Sequence, residues 1–355
     1  MKEWRWPNIA FVIFGFFVCL SVWHVINDPT SITVLHQYDI IPVYTLNTEN
    51  FTKLNYPLET LPPLDYRKLI TIREFRYNIF NNVCNNSIPF LLILVHSAPE
   101  NVVKRMTIRE TWGQNTKDVK VVFLIGNVSL DKIQSQLETE NEQYRDLIQG
   151  NFLDAYRNMT FKHVMALKYA IYHCPKAKYI LKTDDDIFVN IPTLLTFLKE
   201  ELSPYGAENL LLCALLLESS RVKRTYRSKW RVSFKEYSGR YYPPYCSGYA
   251  IMYSPDVVFT LYKEAQKAQY FWIDDAYITG LLAQKAKISH TSVENLVLNK
   301  EEMREVLKTG NCHNCSKNFL FGQPDLTRDE ILKMWKFIMQ QQNISSSIGG
   351  TRMTR

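Results

Sequence analysis

The stretch Tyr179-Ile180-Leu181-Lys182-Thr183-Asp184-Asp185-Asp186-Ile187-Phe188-Val189-Asn190 limits the folds open to this chain more than any other. Three consecutive carboxylates separate two short apolar runs rich in β-branched and aromatic residues, the pattern of buried strand. Alternate residues of an extended chain share a face, so Asp184 and Asp186 point one way and Asp185 the other. Unpaired buried carboxylates are costly, which predicts that the cluster sits at a strand end and meets something cationic. An oxygen-only donor set suits Mg²⁺ or Mn²⁺, ions that usually share their coordination with substrate phosphates. The carboxyl end of a strand in an open α/β sheet is also where nucleotides bind. A solvated acidic turn is the alternative. An EF-hand is excluded, because Ile187, Phe188 and Val189 follow with no loop glycine.

The flanking sequence supports a sheet of that kind. Phe90–Val95 is a continuous apolar run suited to a buried parallel strand, and Asn101–Trp112 is helical. Val119–Gly126 reads as a second strand, Ser129–Arg145 and Phe161–His173 as helices, and the acidic strand follows. This alternation predicts an α/β fold, a mostly parallel sheet with helices on both faces. Beyond it, Ile191–Leu202 reads as helix, Leu210–Leu217 and Tyr249–Tyr253 as strands, and Ser254–Ala268 as a helix with Ser254 at its N-cap. Leu326–Gln340 reads as a final helix capped by Thr327 with Glu330 three residues on.

The 46% hydrophobic and 22% charged residues of the 355 describe a globular chain. Its net charge of +7 suits an anionic small substrate and is too diffuse to argue for nucleic acid. Residues 9–26 are nearly uncharged and about long enough to cross a bilayer. Lys2 and Arg5 precede this run, and Asn27 and Asp28 follow it, so the positive-inside rule leaves the N-terminus cytosolic. No small-residue cleavage site closes the run, which favours an uncleaved anchor over a signal peptide. The expected organisation is a cytoplasmic tail (1–8), a signal-anchor (9–26), a proline-punctuated stem (27–82), a lumenal domain (83–342) and a flexible tail (343–355). Acceptor sequons at Asn50, Asn85, Asn127, Asn158, Asn314 and Asn343 suit a secretory compartment. So does the even set Cys84, Cys174, Cys213, Cys246, Cys312 and Cys315, whose pairing the sequence leaves open.

Six motifs, in order, then carry a resemblance. They are Arg105-Met106-Thr107-Ile108-Arg109-Glu110-Thr111-Trp112-Gly113; Phe123-Leu124-Ile125-Gly126; the stretch from Asp154 to Lys162; Lys182 to Asn190; Tyr242-Pro243-Pro244-Tyr245-Cys246-Ser247-Gly248-Tyr249; and Asp274-Asp275-Ala276-Tyr277-Ile278-Thr279-Gly280. The chain resembles the inverting β1,3-glycosyltransferases of the Golgi, galactosyl- and N-acetylglucosaminyl-transferases, over roughly residues 75–335. The resemblance implies a GT-A-like, nucleotide-sugar-binding α/β domain behind a type II anchor in the Golgi membrane. It also implies a UDP-sugar donor, a glycan acceptor on a glycoprotein or glycolipid, and Mn²⁺ or Mg²⁺ on the diphosphate. UDP-galactose is the preferred donor and UDP-N-acetylglucosamine the alternative. A catalytically silent chaperone or carbohydrate-binding relative is a further reading, and a homo-oligomer stays open.

By the same resemblance Asp186 holds the metal, Asp184 approaches the ribose side, and Asp185 is structural. Asp275 takes the proton from the acceptor hydroxyl, as inverting transfer requires of one base. Two adjacent carboxylates beside Phe271-Trp272-Ile273 could raise a pKa towards the working range. His96, Ser97, Arg105 and Arg109 are candidates for the uridine and diphosphate, the two arginines sharing a helix face at a spacing of four. Structural salt bridges to Glu110 or Asp154 are their alternative role. The family commonly has a metal-binding histidine before the final helix, where this chain has Phe321-Gly322-Gln323-Pro324-Asp325. Either His290, His313 or water completes the metal shell, or the metal is held more weakly; His290 is the best candidate by position. The basic-aromatic segment Arg221–Tyr245, with Trp230, Tyr241 and Tyr242, is the expected acceptor wall.

Overall fold

The computed structural model describes residues 43–45, 56–85, 87–217, 221–310 and 319–350. The expected anchor over 9–26, residues 27–42 and 46–55 of the stem, and Cys312 and Cys315 lie outside the described residues. Among the described residues no helix is long and apolar enough to cross a membrane. The strands are β1 (Tyr44–Thr45), β2 (Tyr77–Ile79), β3 (Leu91–His96), β4 (Val119–Asn127), β5 (Leu147–Leu153), β6 (Tyr179–Asp184), β7 (Ala207–Glu208), β8 (Leu211–Leu216), β9 (Tyr245–Tyr253) and β10 (Thr291–Ser292). The α-helices are α1 (Val102–Glu110), α2 (Asp131–Tyr144), α3 (Met159–His173), α4 (Ile191–Phe197), α5 (Pro255–Ala265), α6 (Ala283–Lys285), α7 (Lys300–Thr309) and α8 (Arg328–Gly350).

An eight-stranded sheet runs in the order β10-β8-β9-β6-β3-β4-β5-β2, and β1 pairs with β7 apart from it. The centre is parallel: β6 with β3, β3 with β4, β4 with β5. β3 shows why the sheet takes helices on both faces. All six of its residues are buried, and alternate side chains enter different cores. Leu92 and Leu94 pack with Val164 and Ile171 of α3 and Val257 of α5. Leu91, Ile93 and Val95 pack with Ile108 of α1 and Ile331 and Met334 of α8. The sheet turns antiparallel at β8, β9 and β6. Among the described residues no α-helix lies between β8 and β9, and β9 returns beside β8 in the opposite sense.

Several boundaries differ from the sequence reading. Residues 56–82, assigned to the stem, pack on the α/β domain: Leu61, Leu69, Ile70 and Phe75 are buried in the α3/α5 core. β2 pairs antiparallel with β5. The segment is pinned by Asp65, whose carboxylate accepts from the Tyr172 hydroxyl (2.9 Å), the Gln266 amide (3.0 Å) and the Tyr262 hydroxyl. Such bonds are what make a buried carboxylate tolerable. Its proline content obscured this packing. β5 went unread because Gln149 and Gly150 interrupt its apolar pattern, although Gln149 is buried and bonded to the Gly126 carbonyl (3.1 Å). Ser254 precedes α5 without capping it, and its Oγ instead accepts from the Leu210 amide (2.9 Å). Thr327 and Glu330 do cap α8, with Thr327 N donating to Glu330 Oε2 at 2.8 Å. α8 runs on to Gly350, into the stretch expected to be a tail. Cys84 pairs with Cys174 and Cys213 with Cys246.

Candidate active site

The chain leaves β3 to build β4 and β5 on one side, then returns to lay β6 on the other. β3 and β6 therefore flank a topological switch point, where their carboxyl ends open a crevice for ligand. The parallel register sets His96 opposite Asp184. The aspartate triplet thus lies at a strand end, as expected, but only Asp184 belongs to β6: Asp185 and Asp186 sit in the turn after it, where the alternation of an extended chain no longer applies and one lysine, Lys104, reaches both.

Its three carboxylates have separate partners. Asp184, partly exposed, takes Lys182 Nζ at 2.7 Å. These two are two residues apart on one strand and so share a face, a period-2 signal present in the sequence and not used. Asp185 is buried and accepts from Ser97 Oγ (2.7 Å), Asn101 Nδ2 (2.8 Å) and Lys104 Nζ (3.1 Å). Its bonds brace the loop after β3. Asp186 has one oxygen engaged, with Lys104 Nζ at 3.0 Å, and the other free, as Asp184 has beside Lys182. Lys104, absent from the sequence reading, thus bridges two carboxylates.

The two arginines do not reach into the crevice. Arg105 is fully buried, with Nε and Nη2 on the Glu140 carboxylate (2.8 and 2.7 Å). Its other bonds reach Ser97 Oγ (3.0 Å) and the carbonyls of Ala98 (2.6 Å) and Pro99 (3.0 Å). Arg109 forks onto Asp146 at 2.8 Å through Nε and Nη2 and lies between the rings of Phe123 and Tyr144. The observed geometry is that of structural ion pairs, with Glu140 and Asp146 as partners in place of Glu110 and Asp154. Lys162 is likewise internal, bonded to the Ser97 carbonyl (2.6 Å) and to Asp154 (2.8 Å), which also accepts from the Gly126 amide (2.6 Å). A Cβ at Gly126 would fall 2.8 Å from the Asp154 backbone, so that approach requires glycine. His96 is buried with neither ring nitrogen hydrogen-bonded, its ring edge-on to His163. Burial, then the nearby Lys182, holds it well below the usual imidazole pKa.

The second acidic pair begins the π-helical turn Ala276–Leu282. Asp274 is held by His163, whose Nδ1 lies 2.9 Å from Oδ2 and whose Nε2 lies 3.0 Å from the Tyr253 hydroxyl. Burial pushes Asp274 up, but the His163 bond and the Lys182 charge outweigh it and leave its pKa below the ordinary value. Asp275 accepts from the Ala276 amide at 2.7 Å. Burial, reinforced by the charge of Asp274, pushes its carboxyl up to about 7. Identical neighbours are thus driven apart because only Asp274 has a hydrogen-bonding side chain, His163, beside it. A Cβ at Gly248 would sit 3.4 Å from Asp275 Oδ2, and the Gly248 carbonyl accepts from Lys182. Lys182 therefore couples the two acidic clusters.

Asp274 and Asp275 line a small cavity with Tyr156, Met159, Trp230, Trp272 and Ile273. Of the expected acceptor wall, Trp230 reaches this cavity, Tyr241 is exposed, and Tyr242 is buried against Phe271. Tyr156 and Trp272 are not in the expected acceptor wall: the first lies in the Asp154–Lys162 motif and the second in the apolar stretch before Asp274, and packing alone brings both to this cavity. His290 Nε2 lies 2.6 Å from the Thr279 carbonyl. The segment replacing the family histidine does lie against the triplet, with Leu326 N donating to the Asp186 carbonyl (2.9 Å), but Gln323 turns its amide to the Leu298 carbonyl. Among the described residues no group of three or more His, Cys, Asp and Glu is arranged to hold a metal. A larger cavity of about 690 Å³ beside Cys84–Cys174 has no carboxylate in its lining and is not part of this site.

A family model described as galactosyltransferase matches residues 103–294, a span containing both acidic clusters. Beta-1,3-galactosyltransferase 1 of Mus musculus is 32% identical over 249 residues, 69% of this chain and 72% of the relative. Beta-1,3-galactosyltransferase 5 of Pan paniscus is 32% identical over 209 residues, 58% of this chain and 68% of the relative. A solved mannosyltransferase from Pyrobaculum calidifontis, in complex with GDP-Man and Mn²⁺, is 13% identical over 61% of this chain and 57% of its own. Its TM-score of 0.34 is too low to bear on function. The protein is a glycosyltransferase. It belongs to the galactosyltransferase family, among the β1,3-glycosyltransferases.

Proposed function

We propose that the protein transfers galactose from UDP-galactose to a hydroxyl of a glycan acceptor, forming a β1,3 linkage with inversion. The observation that carries this reading is Asp275, a carboxyl lifted to about 7 in a cavity with aromatic walls. A base is most effective with its pKa near the operating pH. Asp275 accepts the proton of the acceptor hydroxyl as that oxygen bonds to the anomeric carbon and the sugar's bond to UDP breaks. Asp274, fixed by His163, keeps a negative charge beside Asp275 and so sustains its basicity. Trp230, Trp272 and Tyr156 offer faces on which a sugar ring stacks.

The triplet fits a divalent cation in its donor chemistry. Asp186 has a free oxygen, and the Lys104 ammonium between Asp185 and Asp186 marks a place where positive charge is stabilised. Asp186 would hold Mn²⁺ or Mg²⁺, with donor oxygens and water supplying the other ligands. When bound, the ion would offset the charge developing on the departing diphosphate. Asp184 would face the ribose. The type II Golgi topology rests on the apolar run at 9–26, on the sequons, and on two disulfides that suit an oxidising compartment.

The test is a form secreted without Met1–Ile26, assayed with Mn²⁺ against UDP-galactose, UDP-N-acetylglucosamine and other UDP-sugars. UDP-galactose should be the best donor, and the secreted protein should carry N-glycans. Asp186→Ala should greatly weaken Mn²⁺-dependent UDP binding measured by calorimetry. Unchanged Mn²⁺-dependent affinity would remove Asp186 from the metal site, and a better UDP-N-acetylglucosamine rate would replace the donor.

The pH profile supplies a second expectation. Below the Asp275 pKa the base is protonated, so kcat/KM should rise about tenfold per pH unit and level off above about 7. Asp274→Asn removes the neighbouring charge and should move that inflection to lower pH. An inflection that stays fixed in this variant would separate Asp275 from the observed base.

A further inference from the structure

Residues 221–241 form a basic flap beside the acceptor cavity. They contain eight Lys or Arg and a single acidic residue, Glu236. Setting these aside leaves 34 of the chain's 42 Lys and Arg against 34 of its 35 Asp and Glu. The whole formal excess of +7 is therefore confined to one surface segment, and the remainder of the chain is balanced.

Solvated charge runs are ordinary, but two features set this one apart. Arg221, Lys223, Arg227, Lys229, Lys235 and Arg240 are exposed, and none of the eight cations forms an ion pair with a described residue. The one flap carboxylate, Glu236, is spent on Arg157 and on Ser233. The flap is also held in a defined shape next to the chemistry. Arg224 donates to the carbonyls of Val232 (2.9 Å), Tyr237 (2.8 Å) and Gly239 (2.6 Å). The Arg157–Glu236 pair ties it to the turn that carries Tyr156. Trp230, from the flap, shares the cavity with Asp274 and Asp275, and Lys229 lies 4.5 Å from the Trp230 ring centroid and 6.0 Å from that of Tyr156. Unneutralised cations at the mouth of a cavity focus potential onto whatever enters it.

We propose that this flap recognises an anionic glycan acceptor, one bearing sulfate, phosphate or a carboxylated sugar near the hydroxyl that receives galactose. The proposal rests on the transfer reading above and names its acceptor class. Trp230 stacks on the acceptor ring, while Lys229 and the exposed cations around it engage the acidic substituent. Like charge would otherwise disfavour such an acceptor, since Asp274 and Asp275 both line the cavity. The flap supplies the compensating field.

The test uses the secreted protein and matched acceptor pairs, each a neutral oligosaccharide beside its sulfated or uronic-acid form. The acidic member should show a KM lower by about tenfold or more at low ionic strength. That preference should vanish in 1 M NaCl, where the Debye length is about 3 Å. Replacing Lys223, Arg227, Lys229 and Lys235 together by Gln should abolish the preference and leave UDP affinity, measured calorimetrically, unchanged. Equal KM values for the paired acceptors at low salt would overturn the proposal. So would a loss of UDP affinity in the flap variant, which would assign the cations to the donor, or binding of the flap to phosphatidylserine vesicles with no discrimination among the glycans. If no UDP-sugar is turned over with any acceptor, the transfer reading fails. Binding of the same paired glycans on an array then reads the flap by itself, and equal retention of both members would overturn it too.

Discussion

Asp275→Asn is expected to lower transfer by about 10²–10⁴-fold while metal-dependent UDP binding survives. Asparagine keeps the shape and can still accept from the Ala276 amide, so what disappears is the proton acceptor. The same substitution should make the protein more stable at neutral pH. The Asp275 carboxyl is raised from 3.8 to about 7 by burial and by Asp274. Between those values the folded state holds a proton that the unfolded chain has released. Stability contributed by this group therefore falls as pH rises through that window and stays low above it. Asparagine cannot ionise, so the variant should melt higher than the parent above about pH 7 and nearly with it close to pH 4. A variant that is both inactive and equally destabilised at all pH values would point to a folding role. Near-normal turnover would place the base elsewhere.

Arg105→Ala should be the most damaging substitution to stability, by about 3–5 kcal/mol. The guanidinium is fully buried, and its removal strips a bidentate partner from Glu140 and leaves the Ser97–Pro99 loop without three of its bonds. Equilibrium denaturation should show the loss, with the donor KM of the folded fraction changing far less. Normal stability with a sharply raised donor KM would restore Arg105 to the diphosphate. The comparison matters because spacing on a helix could not distinguish a phosphate clamp from an internal brace. Both need the same two arginines on one face.

The site was legible in the sequence wherever chemistry and periodicity coincided. The apolar runs of Phe90–Val95 and Tyr179–Thr183 required buried strands, and three carboxylates between apolar runs required a strand end. Asp274-Asp275 beside Phe271-Trp272-Ile273 announced a perturbed carboxyl, though not which of the two. That choice depends on His163, a residue 111 positions away in the chain that reaches Asp274 only through packing of α3 against the sheet. The same holds for Glu140 and Asp146, which claim Arg105 and Arg109 from 31 to 37 residues away.

What the sequence determined by itself was therefore local: strand and helix identity along most of the chain, the position of the aspartate triplet at a strand end, and the concentration of charge in residues 221–241. Those features follow from the backbone's two periods and from the cost of burying apolar side chains in water or carboxylates in apolar surroundings. Only the tertiary structure decided the partners. It folded residues 56–82 onto the domain, turned β9 antiparallel, paired the four described cysteines, and set Lys104 and Lys182 among the carboxylates. Partnership between distant groups depends on which surfaces the sheet brings within about 3 Å, and hydrogen bonds weaken too steeply with distance and angle for sequence spacing to specify them.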